Sequence, residues 1–208
     1  MTYSIKTEKK YWTNYYKNHK HAFEPSLFSK SIIQFLNEGD SLIDLGCGNG
    51  RDTIYFADKK IYTHGVDMVS EEVEYLNKVY KNHKFLSFAN CNFADLPNKN
   101  FTHAYSRFTL HSIPPEIEKI LFSWVKLNIK KYFFLEVRSD KDSLFNINTD
   151  HYRRFPNFEK LLMKLIKNNF NIKYSEISEN FAPYNNNYDV NYNENTPKII
   201  RIICKLKS

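Results

Sequence analysis

The sequence predicts an α/β protein, a three-layer α/β/α sandwich with a mostly parallel seven-stranded sheet and an antiparallel terminal hairpin. Three observations carry this. Short apolar runs alternate with longer segments whose apolar residues recur at helical spacing. A loop with glycines at 46, 48 and 50 separates the first run from the helical pattern after it. The last two runs, 171–177 and 198–206, have no helical pattern between them, as a hairpin requires.

The bulk composition sets outer limits. With 208 residues and 42% hydrophobic content, the chain can bury a core as one domain spanning 1–208. The net charge is +7, but the basic residues are scattered rather than run together, so they read as a solvated surface. No recognition-helix, zinc-finger or RNA-binding signature points to nucleic acid. The three cysteines, Cys47, Cys91 and Cys204, form no C-x-x-C pair, which argues against a disulfide framework, a zinc site or any other metal cluster. Met1 to Lys10 is polar, and no apolar run reaches membrane-spanning length. These features predict a reduced, cytoplasmic protein without membrane partners, a monomer or homodimer.

Residues 1–38 precede the first strand. Tyr11-Trp12-Thr13-Asn14-Tyr15-Tyr16 reads either as a helix packing its rings on the core or as a lid over a pocket, with Trp12 and Tyr16 as contacts. His19-Lys20-His21 adds polar groups beside it. Glu24-Pro25-Ser26 opens a short helix whose apolar face includes Leu27, Phe28, Ile32 and Phe35. Ser41 to Leu45 is the first strand, followed by the glycine loop and a helix to about Lys59. Strand, tight turn and helix start together form a ligand cradle, because exposed backbone N–H groups at the helix start can meet polar ligand atoms.

The second strand, 61–66, ends in Asp67. Nucleoside-binding α/β folds place an acid there against ribose hydroxyls, and a carboxylate can accept two hydroxyls at once. The alternative is a cap for the helix starting at Ser70. Met68 is placed to pack on a base. Residues 84–88 form the third strand, followed by Asn92-Phe93, and 101–106 form the fourth. The fourth strand runs into Arg107-Phe108-Thr109-Leu110-His111, where ligands of parallel sheets sit. Arg107 and His111, four apart, share a face if the segment is a helical turn. His111 reads equally as a core histidine.

The fifth strand, 132–138, ends in Glu136 and Arg138, which point the same way and read either as an internal ion pair or as a substrate-facing pair. Residues 139–157 form an insertion carrying His151-Tyr152-Arg153-Arg154. Two arginines beside His and Tyr suit a multidentate anion, with surface charge as the bland reading. A helix from Phe158 to Asn169 follows. An Asn- and Tyr-rich loop, 180–195, joins the last two strands.

The spacing Asp44-x-Gly46-x-Gly48-x-Gly50 departs from the Gly-x-Gly-x-x-Gly of dinucleotide sites. It resembles the first motif of class I S-adenosylmethionine (SAM)-dependent methyltransferases, a Rossmann-like family, and the resemblance covers nearly the whole chain. It implies SAM as cofactor and S-adenosylhomocysteine (SAH) as product. The implied cofactor contacts are Tyr11, Trp12, Tyr16, Asp44, Gly46, Cys47, Gly48, Asn49, Gly50, Arg51, Asp52, Asp67, Met68, Asn92, Phe93 and Arg107. Asn92 stands where the resembling enzymes carry an acid against the adenine. More narrowly, Tyr105 to Ser112, Glu136-Val137-Arg138 and His151 to Phe155 are similar to small bacterial methyltransferases of surface-polysaccharide clusters, among them those linked to O-methyl phosphoramidate capsule modification.

The expected activity is O-methylation of a small anionic acceptor, a phosphoramidate, phosphate or sugar intermediate. Arg107 and His111 are the catalytic candidates; Glu136, Arg138, His151, Tyr152, Arg153 and Arg154 are the substrate candidates. An anionic oxygen needs no strong base, whereas a sugar hydroxyl would call on His111 or His151. The competing readings are a thiol, thiopurine or tellurite-resistance type methyltransferase, an RNA methyltransferase, and a SAM-binding regulator without activity.

Overall fold

Ser41–Leu45 forms the central strand β1, and its side chains divide the core. Leu42 faces one apolar cluster, with Phe28, Phe56, Tyr105 and Phe134; Ile43 and Leu45 face the other, with Leu121, Phe122, Phe133, Leu135 and Leu161. This is the two-residue alternation of a strand buried on both sides. The chain is described by a computed structural model over residues 3–18, 24–142, 150–178 and 198–206. The expected polar groups at 19–21 and the loop at 180–195 lie outside these residues, as does part of the 139–157 insertion.

The remaining strands are β2 (Tyr62–Asp67), β3 (Leu86–Asn90), β4 (Phe101–Arg107), β5 (Ile129–Arg138), β6 (Phe170–Ser178) and β7 (Ile199–Leu206). They join β1 in one sheet of order β3-β2-β1-β4-β5-β7-β6. The first five are parallel; β7 runs antiparallel between β5 and β6. The fold is therefore the predicted three-layer sandwich with an antiparallel terminal hairpin.

The helices are α1 (Ile5–Asn18), α2 (Leu27–Ile32), α3 (Arg51–Asp58), α4 (Ser70–Val79), α5 (Pro115–Asn128) and α6 (Phe158–Lys167). Ser26 caps α2 by accepting the Ser29 N–H, and Pro115 opens α5. α5 and α6 cover one face of the sheet through Leu121, Phe122, Val125, Leu161 and Leu165. α2 and α3 cover the other through Phe28, Ile32 and Phe56.

Strand order reverses at β1, which has β2 on one side and β4 on the other. In open α/β sheets the crevice at the carboxyl ends of such strands is where ligands bind. The glycine loop leaves β1 at that point.

Candidate active site

Two adjoining cavities open there, of about 240 and 100 Å³. Gly46, Trp12 and Tyr16 line both. The smaller is walled by Asp67, Met68, Cys91, Asn92, Phe93 and Thr109, among others. The larger is lined by Asp44, Cys47, Gly48, Asn49, Arg51 and Asp52 and by Arg107, Phe108, His111, Arg138 and Arg153.

Backbone geometry builds the cradle. Gly46 has φ +83°, and a Cβ there would meet Thr109 Oγ1 at 2.3 Å. Thr109 Oγ1 itself donates to the Leu45 carbonyl at 2.8 Å, so the loop is pinned beneath the end of β4. Gly48 has φ +54°, and a Cβ would lie 2.7 Å from the Tyr16 hydroxyl. Neither position tolerates a side chain.

Three carboxylates surround the loop, each in a different state. Asp67 accepts the Gly48 N–H through Oδ2 and the Val69 N–H through Oδ1, both at 3.0 Å. The Met68 N–H also acts on it, which still leaves acceptor capacity among its roughly four positions. It is therefore both cap and ligand candidate, the two readings its sequence position allowed. Burial raises its pKa.

Asp52 accepts the Ser26 N–H (2.7 Å) and the hydroxyls of Ser26 (2.9 Å), Ser29 (2.9 Å) and Tyr105 (2.7 Å). Burial works against its charge, but the Arg107 and Arg51 guanidiniums and these donors outweigh it and hold its pKa low. Asp44, only 3% exposed, has one side-chain donor, Thr53 Oγ1 at 2.6 Å. Burial pushes its pKa to about 8, opposed by the Thr53 bond and reinforced by Asp52 and Asp67.

The lining contributed by β4, β5 and the 150–155 segment is basic. Arg107 is anchored to Glu136 through Nε (2.7 Å), and Arg138 to Asp142 (3.4 Å). Arg153 Nε donates to His151 Nε2 at 3.0 Å. Phe108 lies between these groups with φ +58°, a conformation costing a bulky residue about 1–3 kcal/mol. Its N–H donates to the Glu136 carbonyl at 2.8 Å, and the Arg107 guanidinium sits 4.1 Å from its ring centre. The strained turn thus aims an aromatic ring and a cation into one cavity.

α1 covers both cavities. Trp12 and Tyr16 stack at 6.0 Å. Tyr11 stacks on His151 at 4.0 Å. Glu8, 1% exposed, accepts the Tyr152 N–H at 2.8 Å, so the helix is clamped to the 150–155 segment.

Several sequence expectations need correction. Glu136 is 2% exposed and shared between Arg107 and Arg201 (2.6 Å), so it supports the cavity wall from behind rather than facing a substrate. Its pairing with Arg138 does not occur. Arg154 turns away, because Glu118 on α5 is buried and takes both Arg154 and Lys164 as partners. Arg154 also donates to the Leu110 and Ile113 carbonyls, and its N–H to that of His111. Tyr152 packs edge-on against Tyr3 and lines neither cavity.

Gly50 turns toward Phe88 and Leu76. Asn92 lines the smaller cavity, but its amide folds back on its own loop, donating to Asp95 (2.7 Å) and accepting from the Ala94 N–H (2.7 Å). The sequence reading missed Tyr15, Tyr105 and Phe108 on the larger cavity and Tyr3 on the smaller. Tyr15, Tyr105 and Phe108 lie within stretches the sequence singles out, but nothing in those stretches marks them as lining, and Tyr3 lies outside any of them; only the tertiary fold brings the four in. Among the described residues, no group of three or more His, Cys, Asp or Glu could hold a metal, and no helix is long and apolar enough to cross a membrane.

Residues 36–122, from before β1 through the start of α5, match a methyltransferase-domain family. No curated protein matches the sequence. Solved structures share the fold at low identity. A 1,6-didemethyltoxoflavin N1-methyltransferase from Burkholderia thailandensis, solved with its substrate and SAH, aligns with TM-score 0.74 at 17% identity, over 97% of this chain and 88% of that one. A Haloferax volcanii methyltransferase in complex with the activator Trm112 gives 0.73 at 16%, over 99% and 98%. A SAM-dependent methyltransferase from Methanosarcina mazei gives 0.68 at 17%, over 85% and 96%. The domain match thus spans the glycine loop and β1 to β4, and the fold of the whole chain is one it shares with SAM-dependent methyltransferases.

Proposed function

We propose that this enzyme O-methylates a small anionic acceptor in the cytoplasm. The observation that carries the reading is the polarity of the larger cavity. Carboxyls Asp44 and Asp52 line it beside the glycine loop, Arg138 and Arg153 line it from other segments, and Arg107 reaches Asp52 electrostatically. A cationic donor and an anionic acceptor would each meet opposite charge, and the two would be drawn together along one axis. The acceptor class implied by the sequence resemblance is a phosphoramidate, phosphate or sugar intermediate of capsular polysaccharide modification.

The residues present fit the cofactor. Asp67 has acceptor positions left for ribose hydroxyls, and Met68 and Phe93 line the same small cavity for the adenine. Asp44 is a buried carboxyl with a single side-chain donor, suited to a cationic group. Arg51 lines the larger cavity beside it, placed for the cofactor's carboxylate. SAM brings its own electrophilic methyl group, so the protein's work is alignment, charge and exclusion of water. The rings of α1 provide that exclusion as a lid, with residues 1–38 and the 139–157 insertion serving one methyltransferase domain.

Release of SAH from SAM in the presence of phosphorylated sugars and phosphoramidates, and competitive inhibition by inorganic phosphate, would support the reading. Turnover of neutral thiols, with no response to any phosphorylated compound, would overturn it.

A further inference from the structure

Arginines account for holding an anion, but they leave one buried imidazole among them without a role. His111 sits in the 3-10 turn after β4, 5% exposed, with its ring on the wall of the larger cavity. The ring touches Phe108 and Phe155, each at 5.6 Å between centres. Among the described residues no hydrogen bond reaches its side chain, and Nδ1 is fully buried. A buried polar group without a partner costs about 1–3 kcal/mol. Burial, with Arg138, Arg153 and Arg107, keeps the ring neutral well below its ordinary pKa, so one ring nitrogen retains a lone pair.

His151, the second candidate histidine, lines neither cavity and is differently placed. His151 Nε2 already accepts from Arg153, which makes Nδ1 its protonated nitrogen, and its ring is stacked under Tyr11. Its lone pair is used. Asp52 is filled by four donors, and Asp44 stands at the far, glycine-loop end. Hydrogen-bond donors abound at the basic end, since each guanidinium carries five N–H groups. Among the described residues there, the carboxylates of Glu136 and Asp142 are already paired with arginines.

We propose that His111 accepts the proton of the acceptor's nucleophile, so that the substrate carries a nucleophilic hydroxyl distinct from the anionic group the arginines hold. This rests on the reading of the cavity as an anionic-acceptor site, and it selects within it a phosphorylated or carboxylated alcohol over a molecule methylated on its own anionic oxygen. The hydroxyl proton passes to the imidazole while the oxygen bonds to the methyl carbon. The methyl–sulfur bond breaks with its electron pair left on sulfur, and His111 then returns the proton to water.

The test uses the SAH-loaded enzyme and two probes, methyl phosphate and glycerol 3-phosphate. Histidine ring ¹⁵N resonances are followed by NMR, with His111 identified by its disappearance in His111→Gln. Both probes are expected to bind, but only glycerol 3-phosphate should shift the His111 resonances. It should also bind about tenfold tighter than methyl phosphate, an advantage lost in His111→Gln, which still binds methyl phosphate normally. Binding of both probes with His111 unresponsive, or equally responsive to each, would overturn this inference alone. Failure of both probes to bind would overturn the anionic-acceptor reading, and this inference with it.

Discussion

The two ends of the larger cavity are built by opposite means. The glycine-loop end uses backbone from one short stretch, Asp44 to Asp52, plus Asp67 one βα unit later. Its geometry is fixed by three left-handed glycines and by N–H groups donated to a carboxylate. The basic end uses long side chains from three separate segments, each oriented by a partner elsewhere: Arg107 by Glu136, Arg138 by Asp142, Arg153 by His151. The first end is a local structure that the chain can hardly vary. The second is a tertiary assembly in which each cation is set by a neighbour, so it can be re-aimed by changing the neighbour.

That contrast can be broken most severely at Asp67. Asp67→Ala removes the acceptor of two backbone N–H groups as well as the expected ribose partner. Two charge-assisted hydrogen bonds of this kind are worth together about 3 kcal/mol, so SAM affinity should fall by about 100-fold in calorimetry. Inhibition by phosphate should persist. If phosphate inhibition is lost equally, the two ends are not separable.

The adjacent arginines sharpen the comparison next. Arg153→Ala should raise the acceptor KM by about tenfold while leaving the melting temperature and SAM affinity unchanged. Arg154→Ala should instead lower the melting temperature by about 2–5 °C, because it unpairs one partner of buried Glu118 while Lys164 remains. Equal effects of the two substitutions on KM would return Arg154 to the cavity.

A smaller effect is expected from pH at the glycine-loop end. Folding raises the Asp44 pKa from its ordinary 3.8 to about 8, so between these values the folded state binds the extra proton. The stabilisation is fully present below the unfolded pKa and is lost as pH rises through about 8. A cationic cofactor favours the carboxylate, so SAM binding should release a proton and tighten by about fivefold from about pH 6.5 to 8.5. In Asp44→Asn this dependence should vanish. Titrations at the two pH values in buffers of different ionisation enthalpy would show it, and unchanged proton release in Asp44→Asn would rule the group out.

The smallest change is expected at the clamp. Glu8→Gln keeps an acceptor for the Tyr152 N–H but removes a buried charge, and should alter acceptor KM by no more than about twofold. Glu8→Ala should raise it further and increase hydrogen exchange at Tyr152. Full protection at Tyr152 in Glu8→Ala would show that the clamp lies elsewhere.

How far the sequence could be read follows the same division. The glycine spacing, Asp67 and the alternation of strands and helices are local signals; the elements follow one another in the predicted order and Asp67 ends β2. Arg153 and Arg154 are indistinguishable in sequence, since what separates them is a buried glutamate on α5, 36 residues earlier in the chain. Glu136 is similar: its neighbours in sequence allow a surface role, but Arg201, reached only when β7 inserts beside β5, claims it. The left-handed turn at Phe108 has no signal at all, because nothing about a phenylalanine announces a positive φ.

α1 imposes a further asymmetry, one that concerns how a protein of this fold can diverge. Trp12 and Tyr16 belong to both cavities, whereas Arg138 and Arg153 belong to one. On the proposed function, a substitution in the shared rings that suits a new acceptor also disturbs the donor site, and selection must satisfy both at once. Substitutions at the arginines, or at the acids behind them, carry no such double demand. Lineages of this fold can therefore be expected to change substrate through the ends of β4 and β5 and the 150–155 segment, while the shared face of the helix lags behind.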